Sequence, residues 1–149
     1  MNQEHPVAST PPVVDAVVEL SFAVLDILTR AAAEHDLSVT QLRLLGVLRD
    51  RTPSMAEIAD FLGLDRSSVS GLIDRAEKRD LVARRTSAQD ARVTIIDLTP
   101  TGILVGERVV GTVAARVEAI LGDVSEAERA SFTARARSVI ATATGRAQR

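Results

Sequence analysis

Small hydroxyls and long cations share one side of the segment Arg66–Arg79. Projected at about 100° per residue, the segment forms a helix with two faces. One face is apolar and the other is polar: Ser67, Ser70, Gly71, Asp74, Arg75 and Lys78. Serine can bond base edges or phosphates, and arginine can pair with guanine through two hydrogen bonds. The pattern favours a helix that reads the major groove of DNA, although a merely solvated polar face is the alternative.

The apolar face of this helix is expected to pack on its own domain. It consists of the following side chains, which fall within one arc: Val69, Leu72, Ile73 and Ala76. Gly71 lies in the middle of the opposite face, where glycine costs about 1 kcal/mol relative to alanine. Close approach of the backbone to DNA and a tolerated surface glycine are both open interpretations of Gly71.

A second basic feature follows the helix. Two predicted strands, Leu81–Thr86 and Val93–Leu98, flank a polar loop that ends at Arg92. Arg84 and Arg85 lie on the first strand, and arginine is favoured at the negative potential of a minor groove. Asp90 would repel DNA unless it is structural, so we interpret it as the partner of a nearby arginine that braces the loop. A turn residue beside a solvated Arg92 is the alternative.

The distribution of charge supports this placement. The chain has a net charge of −2, which by itself argues against DNA binding. Residues 66–92, however, carry seven basic and four acidic side chains, whereas residues 1–40 carry one and six. The local field, rather than the total charge, acts on a phosphate backbone.

The composition argues against catalysis and metal binding. The chain has no cysteine, so disulfides, thiolate metal sites and cysteine nucleophiles are excluded. Its two histidines, His5 and His35, are isolated. No nucleophile–base pair, phosphate-binding loop or metal-ligand spacing is visible, so we predict neither a catalytic site nor a cofactor.

The elements that must position these residues are mainly helical. Ser54 and Glu57 form a capping-box pattern, Gly63 closes the helix that follows, and Asp65 caps the next. Thr99-Pro100 and the pattern from Ser125 to Glu128 open two later helices. The predicted helices are Val13–Glu34, Thr40–Asp50, Met55–Leu62, Arg66–Arg79, Pro100–Leu121 and a last one reaching Ala143. The order is four helices, a hairpin and two helices.

The ends of the chain lead to further expectations. Residues 1–12 are polar with three prolines, and we expect a flexible tail without a secretory signal. The apolar run Val13–Leu28 is interrupted by three acids, unlike a membrane span of about 20 residues. We therefore expect no membrane association and a cytoplasmic location. Apolar residues around more than one side of the first helix predict packing on a partner chain as well.

The motifs in combination resemble the MarR family of winged helix-turn-helix transcriptional regulators. The matching stretches are Met55–Leu64, Ser67–Arg79, Leu81–Arg84, Asp90–Arg92 and Leu98–Gly102, within a similarity over about residues 13–145. Asp80 stands where the family usually has glycine, and we expect it to keep the turn because Asp tolerates left-handed geometry.

The resemblance implies a mainly α fold with a small β wing. It implies a single domain over residues 13–147, with a DNA-binding lobe at 40–99 and dimerisation helices at 13–34 and 100–145. It further implies a homodimer on near-palindromic double-stranded DNA, acting as a repressor relieved by a small aromatic effector. The expected DNA-binding residues are Arg66, Ser67, Ser68, Ser70, Arg75, Lys78, Arg84, Arg85 and Arg92, with Asp90 as the wing brace.

Two other classes of function compete with DNA regulation. The overall acidity is compatible with a protein-interaction module that keeps the winged-helix shape without binding DNA. An enzyme is disfavoured because His35 has no evident catalytic partner in the sequence. A mobility-shift titration on DNA separates the first alternative from a regulator.

Overall fold

A computed structural model describes the backbone of residues 11–147 and the side chains of residues 11–143. It has the predicted order of elements. The helices are α1 Pro12–Ala33, α2 Val39–Leu48, α3 Met55–Leu62, α4 Arg66–Lys78, α5 Pro100–Leu121 and α6 Glu126–Ala147, and the strands are β1 Val82–Thr86 and β2 Thr94–Leu98. Residues 1–10 of the predicted tail lie outside the described residues. The tail prediction is wrong for Pro12, which begins α1.

Several predicted boundaries are also wrong. Helix α2 begins at Val39 rather than Thr40 because Ser38 is its N-cap. The Ser38 hydroxyl accepts from the Gln41 amide at 3.1 Å, and the Gln41 side chain accepts from the Ser38 amide at 2.9 Å. This helix ends at Leu48 rather than Asp50, and α6 continues to Ala147, beyond the predicted Ala143. Each of these differences lies at the first or last turn of a helix, and the periodicity of side chains alone does not show where such a turn begins or ends.

The other predicted helix signals are confirmed. Ser54 and Glu57 form both bonds of a capping box before α3, and Gly63 ends that helix in the left-handed conformation, with φ 67°. Asp80 follows α4 with φ 53°, so it adopts the left-handed turn expected of it. The turn at Gly63 sets the direction of α4 relative to α3, and the turn at Asp80 sets the direction of β1 relative to α4.

Strands β1 and β2 form an antiparallel hairpin in which Val82 pairs with Leu98 and Thr86 with Thr94. The hairpin is tied to the segment before α3, because the Ile96 amide donates to the Pro53 carbonyl at 2.9 Å. Ile96 is fully buried. The wing is therefore anchored at its base to the same core that holds α4.

The core of this region is aliphatic, in keeping with a chain that has three phenylalanines and neither tryptophan nor tyrosine. Its largest fully buried side chains come from α2, α3, α4, α5, β2 and the residue before β1: Leu44, Ile58, Leu72, Ile73, Leu81, Ile96, Val69 and Val109. Burial of such side chains supplies the main stabilising free energy of the lobe.

The chain divides into two compact units, of which one ends at Arg116 and the other begins at Val117. The first contains the predicted DNA-binding lobe, and the second contains α6. In the second unit, the Ser125 hydroxyl caps α6 by accepting from the Glu128 amide at 3.4 Å. No helix in the described part of the chain is long and apolar enough to cross a membrane.

Candidate nucleic-acid interface

The start of α4 is organised by Asp65. Its carboxylate accepts the Ser68 amide at 2.8 Å, which makes Asp65 the N-cap. It also accepts the hydroxyl protons of Ser67 at 2.5 Å and Ser68 at 2.7 Å. These bonds, led by that from the Ser67 side chain, hold the pKa of Asp65 well below its ordinary value. Both hydroxyl protons are thus engaged, which leaves the Ser67 and Ser68 oxygens as acceptors toward solvent.

The body of α4 has the two faces that its sequence predicts. Val69, Leu72, Ile73 and Ala76 are buried. On the other side Ser67, Asp74, Arg75 and Lys78 are exposed, and Ser70 and Gly71 are half-buried. We call these six residues the reading face. The buried arc fixes the rotation of the helix, so the reading face must point to solvent.

Arg75 passes over Gly71. A Cβ added at Gly71 would lie 3.3 Å from the Arg75 Nη1, tighter than an ordinary contact. A shallow recess of about 390 Å³ lies beside this guanidinium, between the start of α2 and the reading face. Gly71 therefore gives Arg75 room to lie along the helix, which neither interpretation from the sequence had considered.

The wing loop is held by short-range hydrogen bonds. The Asp90 carboxylate accepts from the Arg92 amide at 2.9 Å and from its guanidinium at 3.2 Å. The Ser87 hydroxyl accepts from the amides of Gln89 and Asp90. The Arg92 side chain nevertheless remains 91% exposed, so its contact with Asp90 contributes little to stability. The loop presents this cation outward.

The two arginines of β1 are engaged with acids. Arg85 forms an ion pair with Asp97 on β2. Arg84 contacts both Asp74 and Glu77 of α4. Sequence reasoning placed both arginines among the DNA contacts and did not identify these acidic partners. The sequence shows Asp74 and Glu77 three residues apart on one helix, but nothing in it indicates that Arg84 reaches them.

Three of the expected cations have no acidic partner among the described residues: Arg66, Arg75 and Lys78. Arg79, at the end of α4, donates instead to the backbone carbonyls of Asp36 and His35. It therefore fastens α4 to the loop before α2. The structure brings the unpartnered cations onto one helix and leaves Arg92 at the wing tip.

Acidic and histidine side chains do not gather into a metal-binding group anywhere in the described residues. A separate cleft of about 400 Å³ lies between α2, the end of β2 and α5. Its walls are mainly aliphatic, with Leu45, Leu98 and Ile103 among them, and Gly106 and Glu107 line it from α5. This volume falls within the range of small-molecule sites.

Comparison with known proteins matches this lobe to one family. Residues 35–93 match the model of the MarR family. The uncharacterized HTH-type transcriptional regulator YfiV of Bacillus subtilis is 35% identical over 65 residues, 43% of this chain and 41% of YfiV. The HTH-type transcriptional repressor NicR of Pseudomonas putida is 26% identical over 107 residues, 71% of this chain and 68% of NicR. The match thus spans under half of YfiV and about two thirds of NicR.

A solved structure extends the likeness to the fold. BpsR of Bordetella bronchiseptica, whose structure concerns the regulation of its DNA binding by 6-hydroxynicotinic acid, superposes with a TM-score of 0.71. The two are 23% identical, and the alignment covers 91% of this chain and 97% of BpsR. At this identity the likeness shows the fold, and the predicted mainly helical winged helix-turn-helix architecture is confirmed.

Proposed function

We propose that this chain, whose residues 35–93 match the MarR family, is a sequence-specific DNA-binding transcriptional regulator of that family. Helix α4 lies in the major groove, and the wing loop 87–92 lies at the minor groove. The observation that carries the proposal is the set of cations Arg66, Arg75 and Lys78, which have no acidic partner among the described residues and lie on a helix with a buried apolar face. The family and the matched relatives are regulators rather than enzymes.

The groups on α4 and the wing suit the two parts of such a contact. Arg75 reads a base edge, with Ser67, Ser68 and Ser70 beside it. Arg66, Lys78 and Arg92 reach phosphates or the minor groove, where cations supply affinity without specificity in proportion to the counterions released. The wing brace Asp90 keeps Arg92 directed outward. We assign Arg85 a weaker contact with DNA, because its guanidinium already forms an ion pair with Asp97.

The protein acts as a homodimer. Helix α1 exposes large apolar side chains, including Val13 at 68%, Val17 at 61% and Phe22 at 66%. In the other unit, α6 exposes Phe132 at 53% and Val139 at 69%. Exposed apolar surface on this scale is typical of interaction sites. A second copy of the chain is the occupant we propose, since two lobes related by a twofold axis read a near-palindrome.

Selection of bound sequences from random double-stranded DNA, followed by footprinting, tests this function. We expect a near-palindromic sequence whose half-sites lie about 34–36 Å apart, one turn of DNA. Footprints should cover one face of the duplex. If no sequence is enriched above nonspecific binding at moderate salt, the protein-interaction alternative is favoured.

We further propose that the protein is a repressor relieved by a small aromatic effector in the cleft of α2, β2 and α5. The name of NicR as a repressor and the regulation of BpsR by 6-hydroxynicotinic acid support this extension. The cleft adjoins β2, so a ligand there contacts the base of the wing. A conformational shift at β2 would alter the position of the wing on DNA.

A thermal-shift screen of hydroxylated aromatic acids, beginning with 6-hydroxynicotinic acid, tests the effector. Gly106→Leu fills the cleft, since a Cβ at Gly106 meets no atom within 4 Å. Gly111→Leu adds the same side chain to α5 outside the residues that line the cleft and serves as the control. A ligand that binds the cleft should shift Tm and weaken DNA binding in the wild type and in Gly111→Leu. Neither change is expected in Gly106→Leu. A ligand that stabilises all three proteins equally would bind elsewhere.

A further inference from the structure

Arg84 of β1 contacts α4 through three bonds. Its Nη2 lies 2.7 Å from Asp74 Oδ1, and its Nη1 donates to Glu77 Oε2. The other oxygen of Glu77 accepts the backbone amide of Arg84 at 3.1 Å. Glu77 therefore holds both the main chain and the side chain of one wing residue. The side chains of Arg84 and Glu77 are only 32% and 31% exposed, so water screens this contact less than a surface pair.

The position of Asp74 makes this contact important for DNA binding. Asp74 belongs to the reading face and lies between Ser70 and Ser67 on the helical projection. Its side chain is 54% exposed. An unpaired carboxylate at that position would face phosphates and weaken association, because like charges repel. The guanidinium of Arg84, which donates to Asp74 Oδ1, offsets this charge. The other oxygen, Asp74 Oδ2, accepts no hydrogen bond from the described residues.

We propose that Arg84 is a positioning residue for DNA recognition rather than a DNA contact. Its planar guanidinium neutralises Asp74 within the reading face and, with Glu77, fixes the orientation of the wing relative to α4. The forked geometry is essential, since only a guanidinium donates to two carboxylates in one plane. This inference rests on the proposed function and replaces the DNA contact expected of Arg84 from the sequence.

The charge-conserving variant Arg84→Lys discriminates between the two roles. A lysine replaces an arginine well at a phosphate as a point charge, but one ammonium does not reproduce the fork. We expect Arg84→Lys to bind the selected operator at least about tenfold more weakly, with the salt slope unchanged. Arg43→Lys, at an exposed arginine of α2 outside the proposed interface and with no acidic partner among the described residues, is the matched control and should bind nearly as the wild type does.

A double-mutant cycle supplies the second readout. In Arg84→Met the Asp74 carboxylate loses its partner, so adding Asp74→Asn should recover about fivefold or more of the lost affinity. In the wild-type background, Asp74→Asn should change affinity far less. If Arg84 instead contacts a phosphate, Arg84→Met lowers the salt slope by about 1 and Asp74→Asn acts equally in both backgrounds.

The outcomes separate this inference from the function on which it rests. Wild-type protein that selects no DNA sequence overturns both. Wild-type protein that binds its operator, together with Arg84→Lys of equal affinity, overturns the positioning role alone. Should Arg84→Met fail to fold, judged by circular dichroism and Tm, the Arg84→Lys and Asp74→Asn variants and their double variant complete the same cycle.

Discussion

Replacement of Gly102 by alanine is expected to destabilise the protein far more than the same replacement at Gly106 or Gly111, the other glycines of α5. A Cβ at Gly102 would lie 1.9 Å from the Leu81 carbonyl oxygen and 2.9 Å from its carbonyl carbon. Both are backbone atoms that no side-chain rotation can move. The same oxygen accepts the Thr99 amide at 3.1 Å, and Thr99 in turn caps the Gly102 amide at 3.0 Å.

The clash must therefore be relieved by separating α5 from the segment that joins α4 to β1. We expect a loss of about 3 kcal/mol or more in the free energy of unfolding, at the upper end for overpacked cores. Because Leu81 and the adjacent Val82 are 2% exposed, separation would also open the core. DNA binding should fall with stability, since α4 and the wing both depend on this junction.

Gly111→Ala is the control for this prediction. It adds the same methyl group to the same helix, where a Cβ meets no atom within 4 Å. Helix propensity predicts a stabilisation of up to about 1 kcal/mol. Urea denaturation at one fixed protein concentration measures both, because dimerisation would make stability depend on concentration. Equal stabilities of the two variants would show that the tight approach at Gly102 relaxes without cost.

Replacement of Arg75 by alanine is expected to have the largest effect on specificity. Arg75 is exposed on the reading face and has no acidic partner among the described residues, so its guanidinium is available to a guanine edge. A bidentate pair contributes about 1–3 kcal/mol of discrimination against the wrong base. We expect roughly a tenfold to hundredfold loss of operator affinity and relaxed preference at one position of each half-site.

Arg92→Ala is the contrasting variant. The Arg92 side chain is 91% exposed at the wing tip, so we expect its removal to weaken binding to all sequences and to lower the salt slope by about 1. Binding titrations on the operator and on single-base variants, repeated over a range of salt, measure both changes. A loss for Arg75→Ala that is uniform over all sequences would assign Arg75 to a phosphate. An unchanged slope and affinity for Arg92→Ala would remove the wing from the interface.

Local signals in the sequence suffice for much of the lobe. The capping box at Ser54, the left-handed Gly63 and the Asp65 cap are interactions within four residues, so their pattern predicts where α3 and α4 begin. The apolar arc of α4 follows from helical periodicity and is buried as expected. The same type of signal at Ser38 and Gln41 was available but was not used, which displaced the predicted start of α2.

The partners of the cations could not be predicted in this way. Arg84 and Asp74 are ten residues apart, and they meet only because Asp80 reverses the chain in a left-handed turn. Arg79 meets the carbonyl of Asp36 across 43 residues. A sequence shows that an arginine is present. Whether its guanidinium bonds an acid or a carbonyl depends on which distant segments come close to it in the folded chain.

The sequence by itself therefore determined the order of elements, the buried side of α4 and the family signature, because these follow from local periodicity, caps and short motifs. Only the tertiary structure decided which cations remain available to DNA. It left Arg66, Arg75 and Lys78 unpartnered by acids among the described residues, paired Arg84 with Asp74 and Glu77, and placed the Leu81 carbonyl against Gly102. The physical reason is that charge pairing and close backbone packing depend on distances in space, which spacing along the chain does not specify.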